Sequence, residues 1–223
     1  MFFAQNIMTP IEGLGYGYLY NWYAVSHADF APSGWHVPTS SEVRILYNYL
    51  GGTSVAGGKM KETGLTHWNS PNTGATNNSQ FSGWGTGYRT GQTGLFVYFK
   101  EISPYSTSSD AGTGAPITYV LKYDSEGLQI TSWGVGDKQG YPIRLIKDST
   151  TLSDGETSTM TDEDGNVYDT ICIGTQEWTV QNWKCTKLND GTPLTKVTSN
   201  TTWATASTGD LYYCAYDNDE SYV

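Results

Sequence analysis

The chain has 223 residues, 37% hydrophobic and 15% charged, with 17 tyrosines, 8 tryptophans and a formal net charge of −10. That length suits one large domain or two small ones able to bury a substantial core, and so many rings with so few charges exclude a disordered chain. The acidic balance disfavours nucleic-acid phosphate, which needs clustered Lys and Arg, and it disfavours insertion at anionic membrane surfaces.

Residues 1–14 carry Phe2, Phe3, Ile7 and Met8 but show no period. The segment reads as an arm, and these four side chains are its candidates for assembly contacts with another subunit. It lacks a basic n-region and a continuous apolar run, so it is not a secretory signal. Read as starting at Met1, the chain is expected to be made in a cytoplasm and not exported by the usual route. No run approaches the ~20 apolar residues of a membrane span.

Crowded aromatics predict a buried strand over Tyr16–Val25. Thr39 three residues before Glu42 is a capping-box pattern. It opens a predicted helix to about Leu50, with Val43, Leu46, Tyr47 and Leu50 on one face and Gly51-Gly52 as its stop. Gly57–Glu62 reads as a strand or short turn segment, and Leu65–Gly83 as loop. Strands are predicted from Gly87-Tyr88-Arg89 and over Leu95–Lys100, Ile117–Tyr123, Leu128–Trp133 and Tyr141–Ile146. Residues 149–160 are small, polar and aperiodic, the best linker candidate. Val167–Ile173 and Glu177–Trp183 around Gly174-Thr175-Gln176 have a hairpin signature, and Tyr212–Tyr216 is a last strand. One or two helices against many strands make the fold class α+β.

These residues carry a family resemblance. Asp164-Gly165-Asn166-Val167-Tyr168, Ile173-Gly174-Thr175-Gln176-Glu177-Trp178 and Gln181-Asn182-Trp183 resemble the opening of the Fibrobacter succinogenes major paralogous domain, and Asn189-Asp190-Gly191-Thr192-Pro193 and Tyr216-Asp217-Asn218-Asp219 resemble its next two landmarks. Its middle and end resemble Tyr18-Leu19-Tyr20-Asn21-Trp22-Tyr23, Gly34-Trp35-His36-Val37-Pro38-Thr39, Gly57-Gly58-Lys59-Met60-Lys61-Glu62, Gly87-Tyr88-Arg89 and Tyr141-Pro142-Ile143-Arg144. The resemblance thus runs in cyclic order. It implies one circularly permuted domain made of residues 15–148 and 161–223, joined by linker 149–160, with Val223 near Gly15. Residues 161–223 completing a neighbouring chain's domain is the rival arrangement.

The resemblance further implies a loop-rich, C-type-lectin-like domain with short antiparallel sheets, of the kind found on bacterial surfaces and in phage virions. It is weakest over residues 84–140, where a Trp-Trp-Ser-Ser-Thr-like stretch is missing. Ala31 and Leu145 stand where family members often carry a cysteine pair, which suits folding in a reducing compartment.

Chemistry-bearing motifs are sparse. Asp162-x-Asp164-Gly165-Asn166 has its glycine in the wrong place for an EF-hand and reads as a turn. His27, His36 and His67 are scattered without metal-ligand spacing, and His36 reads as structural. Cys172, Cys185 and Cys214 show neither a disulfide framework nor a zinc pattern. They read as small buried groups, with a bridge from Cys172 or Cys185 to Cys214 as the alternative. No catalytic site, cofactor or metal is expected. Aromatics outside the family motifs, Tyr98, Phe99, Tyr105, Tyr119, Tyr123 and Trp133, are the ligand-binding candidates, because Tyr and Trp offer large contact area at low entropic cost.

The function expected is that of a non-enzymatic virion module of a bacteriophage, as capsid decoration or tail-fibre domain. Its expected partners are other virion subunits, copies of itself in a homo-oligomer, and host-surface glycan or protein. A bacterial cell-surface adhesin is the alternative, and an enzyme of the sulfatase-modifying-factor type ranks below both.

Overall fold

A computed structural model describes residues 15–133 and 138–223. The chain enters through β1 (Leu19–Tyr20) and a one-turn helix α1 (Trp22–Val25), so the strand expected over Tyr16–Val25 breaks in two. The break is local chemistry: the Asn21 side chain accepts from the Ala24 N–H at 3.1 Å and caps α1. After β2 (Trp35–His36) comes α2 (Ser40–Tyr49). Its capping box is complete, with Thr39 and Glu42 each accepting from the other's backbone N–H. Val43, Leu46 and Leu50 are buried while Ile45 and Tyr49 face solvent.

Residues 56–60 are helical, α3 (Ala56–Met60), not a strand. Side-chain carbons on Gly57 and Gly58 would strike the carbonyls of Gly127 and Gly74, so the glycines here serve close approach between loops. Lys61 follows, fully buried, its ammonium donating to the carbonyls of Thr73, Lys122 and Ser125 at 2.8, 2.8 and 2.9 Å. Burial lowers its pKa to about 8, against the opposing pull of Asp124 and Glu126.

Next come β3 (Tyr88–Arg89), β4 (Phe96–Val97), β5 (Ile102–Asp110), β6 (Pro116–Lys122), β7 (Gln129–Thr131) and β8 (Ile146–Lys147). The last of these keeps only the end of the strand expected over Tyr141–Ile146. The second stretch supplies β9 (Thr157–Thr161), β10 (Val167–Ile173), β11 (Gln176–Thr179), β12 (Thr195–Lys196), α4 (Asn200–Ala204) and β13 (Tyr212–Cys214). The segment 149–160 is therefore a linker only in part, since β9 claims its last four residues. Four α-helical segments among the described residues replace the one or two expected, though only α2 exceeds five residues.

The strands form four sheets, β2-β8-β11-β10-β9, β1-β13-β12, β5-β6-β7 and β3-β4. Every named pair is antiparallel except β12 with β13. The architecture is a loop-rich α+β domain of short sheets. Gly15 lies against Val223, and the Tyr16 N–H donates to the Tyr222 carbonyl at 2.5 Å, so within one chain the two regions meet.

Each buried cluster draws on both stretches. Tyr20, Phe30 and Ile143 join Tyr168, Trp183 and Tyr213; Leu46, Phe81 and Tyr119 join Ile171 and Trp178; Leu19 joins Trp203 and Cys214. Two buried arginines stitch the seam. Arg89 donates to the carbonyls of Gly94, Val197 and Thr198 and to Asn200 Oδ1. Arg144 donates to Asn182 Oδ1 and to the carbonyls of Phe81, Ser82, Thr179 and Val180. Cys172, Cys185 and Cys214 are buried and unbridged. The Asp162 motif is a turn, its carboxylate taken up by the N–H groups of Asp164 and Asn166, the Asn166 amide and the Tyr168 hydroxyl.

Candidate functional site

The sharpest exposed feature is an aromatic surface built on the β3–β4 hairpin. β3 alternates faces, so the neighbours Tyr88 and Arg89 point oppositely. Arg89 goes into the core and Tyr88 comes to the surface, half-buried. Tyr98, just past β4, stacks on Tyr88 with ring centres 5.9 Å apart and planes 21° apart. On its other side Tyr88 meets Trp133 at 5.2 Å, and Trp133 leans on the buried Tyr141 at 6.1 Å. Burial, then the neighbouring Tyr98, raises the Tyr88 phenol's pKa above its ordinary 10.0.

Tyr98 is 52% exposed and has φ +60°. The left-handed region costs an L-residue with a bulky side chain about 1–2 kcal/mol, and such strain persists where the surroundings over-determine it. Here the surroundings are a tight turn. The Tyr98 carbonyl accepts from the N–H groups of Glu101 and Ile102 at 3.0 and 3.2 Å, and Lys100, also at φ +60°, donates to the Gly85 carbonyl at 2.7 Å. The two left-handed residues bracket Phe99 and splay the rings apart, Tyr98 outward and Phe99 the other way.

Phe99 thus belongs to a different cluster. It stacks on Tyr216 at 4.6 Å and touches Tyr16 and Tyr222 at 4.9 and 5.1 Å, bolting residues 216–222 to the domain. His67 stacks on Trp84 at 3.6 Å beside it, its Nδ1 bonded to Glu62 at 2.6 Å. Gly87 lets the two clusters adjoin: with φ +62°, any side-chain carbon there would sit 2.5 Å from the Val97 carbonyl and 2.8 Å from the Tyr216 ring.

The structure divides the aromatic candidates. Tyr98 and Trp133 come together at the surface through Tyr88. Tyr105 and Tyr119 are corrected: they face each other across β5 and β6, stack at 5.1 Å and have no exposed surface, so neither can touch a ligand. Tyr123 is partly buried against the same core cluster. Phe2, Phe3, Ile7 and Met8 lie outside the described residues. Tyr88 was missed because it sits inside a family-like motif read as framework; the signal that exposes it is the two-residue period beside a buried arginine.

His36 is held from both sides. Its Nδ1 lies 2.6 Å from Asp148 and its Nε2 2.9 Å from Glu42, the residue that caps α2. Carboxylates only accept, so both bonds require the doubly protonated ring. Among the described residues no group of three or more His, Cys, Asp or Glu is placed to hold a metal, and no helix is long and apolar enough to cross a membrane. Flat ring faces with little formal charge suit stacking and apolar contact rather than proton transfer.

Short sheets, brief helices and an exposed aromatic surface on a strained turn define a loop-displaying α+β domain. The chain belongs to the Fibrobacter succinogenes major domain family, whose model matches residues 4–147 and so begins inside the segment read as an arm. No curated protein and no solved structure gives a significant match.

Proposed function

We propose that the protein is a non-enzymatic binding module of a bacteriophage particle, and that Tyr88, Tyr98 and Trp133 contact a glycan or protein of the host surface. The observation that carries this reading is Tyr98. A large ring held half in solvent on a left-handed backbone costs stability, and its stack on Tyr88, which Trp133 flanks in turn, makes a platform of the kind that receives a sugar ring or an apolar side chain. The same reading takes the fold as C-type-lectin-like and circularly permuted. Its supports are the meeting of Gly15 with Val223 and the β10–β11 hairpin, whose family-like motifs lie beyond the matched residues 4–147 yet pair through β11 with β8.

Binding of the purified protein to a panel of bacterial envelope glycans and outer-surface proteins tests the site, with Tyr98→Gly and Trp133→Ala expected to lose it. Mass spectrometry of purified particles tests the location. Detection in the particle is expected; recovery only from a bacterial envelope would replace the phage with a cell-surface adhesin.

A further inference from the structure

We propose that residues 157–223 form an exchangeable insert whose partner, besides the body of its own chain, is the body of a second copy, and that the connection 148–156 holds the chain in the self-closed form. This goes beyond the binding reading and does not rest on it.

The insert completes both main sheets. It supplies β11, β10 and β9 at one end of the five-stranded sheet, joined to the body where β11 pairs β8, and it supplies β13 and β12 of the three-stranded sheet, joined where β13 pairs β1. It brings Trp178, Trp183 and Trp203, each at most 1% exposed, to the core. Without it, Arg89 would keep only the Gly94 carbonyl and Arg144 only those of Phe81 and Ser82. A buried guanidinium stripped of acceptors is costly, so the body demands an insert. Nothing in the seam distinguishes its own insert from that of another copy.

The connection decides between them. Ile146, Trp178, Ile171 and Thr157 stand side by side across β8, β11, β10 and β9. Three strand spacings put Ile146 about 14 Å from Thr157, and the ten intervening residues reach well over twice that when extended. Self-closure is therefore unstrained, and tethering gives it a high effective concentration.

Most of the connection travels with the insert. Thr150 donates to Glu177, the Gly155 N–H donates to the Cys172 carbonyl, and the Gly174 N–H donates to Asp154. Its side-chain ties to the body are Tyr49 to Asp154 at 2.7 Å and His36 to Asp148 at 2.6 Å. The hinge thus falls at Asp148–Ser149. Passing the insert to a neighbour makes a head-to-tail contact, which closes into a ring or continues as a filament.

Deleting residues 149–156 leaves three Cα steps, about 10 Å, too short to close on the same chain with β8 and β9 intact. Light scattering of this variant should read at least twice the monomer mass, with native circular dichroism, while the intact chain stays monomeric. A folded monomer overturns the proposal. Should the deletion not fold, a protease site placed over residues 151–153 of the full chain gives the second test. After cutting, the two pieces should co-elute in native buffer, and two differently tagged cut proteins should exchange pieces when unfolded and refolded together. Pieces that separate in native buffer, or that never mix, overturn it.

Discussion

Replacing Tyr98 separates a binding role from a structural one. Glycine at φ +60° removes a left-handed penalty of about 1–2 kcal/mol. It adds back roughly 0.5–1 kcal/mol of chain entropy. Tyr98 is 52% exposed, so truncation forfeits about half of a tyrosine's buried area, on the order of 100 Å² and about 2 kcal/mol at the usual coefficient. The balance is a loss of about 1 kcal/mol for Tyr98→Gly. Tyr98→Ala keeps the strain and should be less stable than the glycine variant by roughly 0.5–1 kcal/mol, reversing the order seen in helices. Urea unfolding followed by tryptophan fluorescence measures both. Ligand binding should fall much further, about tenfold or more, since each stacked ring contributes on the order of 1–3 kcal/mol. A glycine variant that binds like the parent, or one that loses more than about 3 kcal/mol as a core aromatic would, refutes the reasoning.

The His36 clamp should show in the pH dependence of stability. Burial alone would lower the His36 pKa, but the bonds and charges of Asp148 and Glu42 raise it above 6.5; its contribution is complete below that pH and fades as pH rises through the raised value. Burial alone would raise the Glu42 pKa, but Thr39 and His36 take it below 4.5, so its contribution is complete above that pH and is lost as pH falls through the lowered value. Thermal unfolding of His36→Gln should therefore differ most from the parent between pH 4.5 and 6.5, by up to about 1 kcal/mol for so solvent-screened a pair. A difference unchanged into the alkaline range contradicts the imidazolium. Arg144→Met should cost about 3 kcal/mol or more in chemical denaturation, because it strands several buried acceptors, and Arg144→Lys should not rescue it, since an ammonium cannot replace the fork of donors. Gly87→Ala should destabilise the chain and detach the Tyr216 ring from Phe99, read as altered near-ultraviolet circular dichroism; an unchanged spectrum would show the close approach to be unimportant.

What could be read from sequence was what local chemistry decides. The box from Thr39 to Glu42 and the stop at Gly51-Gly52 fix α2 within the chain's own neighbourhood, and Gly174-Thr175 turns β10 into β11. β5 escaped because Ser103, Ser106 and Thr107 show no apolar alternation, yet all three are buried; pairing with β6, where Ser103 meets Leu121 and Ser106 meets Thr118, made it. α3 escaped because two glycines argue against helix, and only the loops they allow to approach explain them. α4 rests on the Ser199 cap to Thr202 over a sequence of weak helix formers. At the site, ring content was legible and ring direction was not. Tyr98 and Tyr119 look alike in the sequence; a strained turn sends one to solvent and a sheet face sends the other inside.

The buried cations connect the fold to the site. A loop-rich domain has many carbonyls outside regular ladders, and those carbonyls must still be paired when buried. Arg89, Arg144 and Lys61 meet that need by serving several carbonyls each, and all three belong to family-like motifs. Asn182 does the same from the other stretch, accepting from Arg144 and donating to the Tyr16 carbonyl. The motifs are therefore a set of backbone satisfiers that fix where irregular segments run. Once the segments are fixed, the turn at Tyr98–Lys100 can hold strained residues and present a ring without any need for that ring to support the core. On this logic the framework and the proposed recognition surface are separable, and substitutions at Tyr98 should change what is bound before they change whether the chain folds.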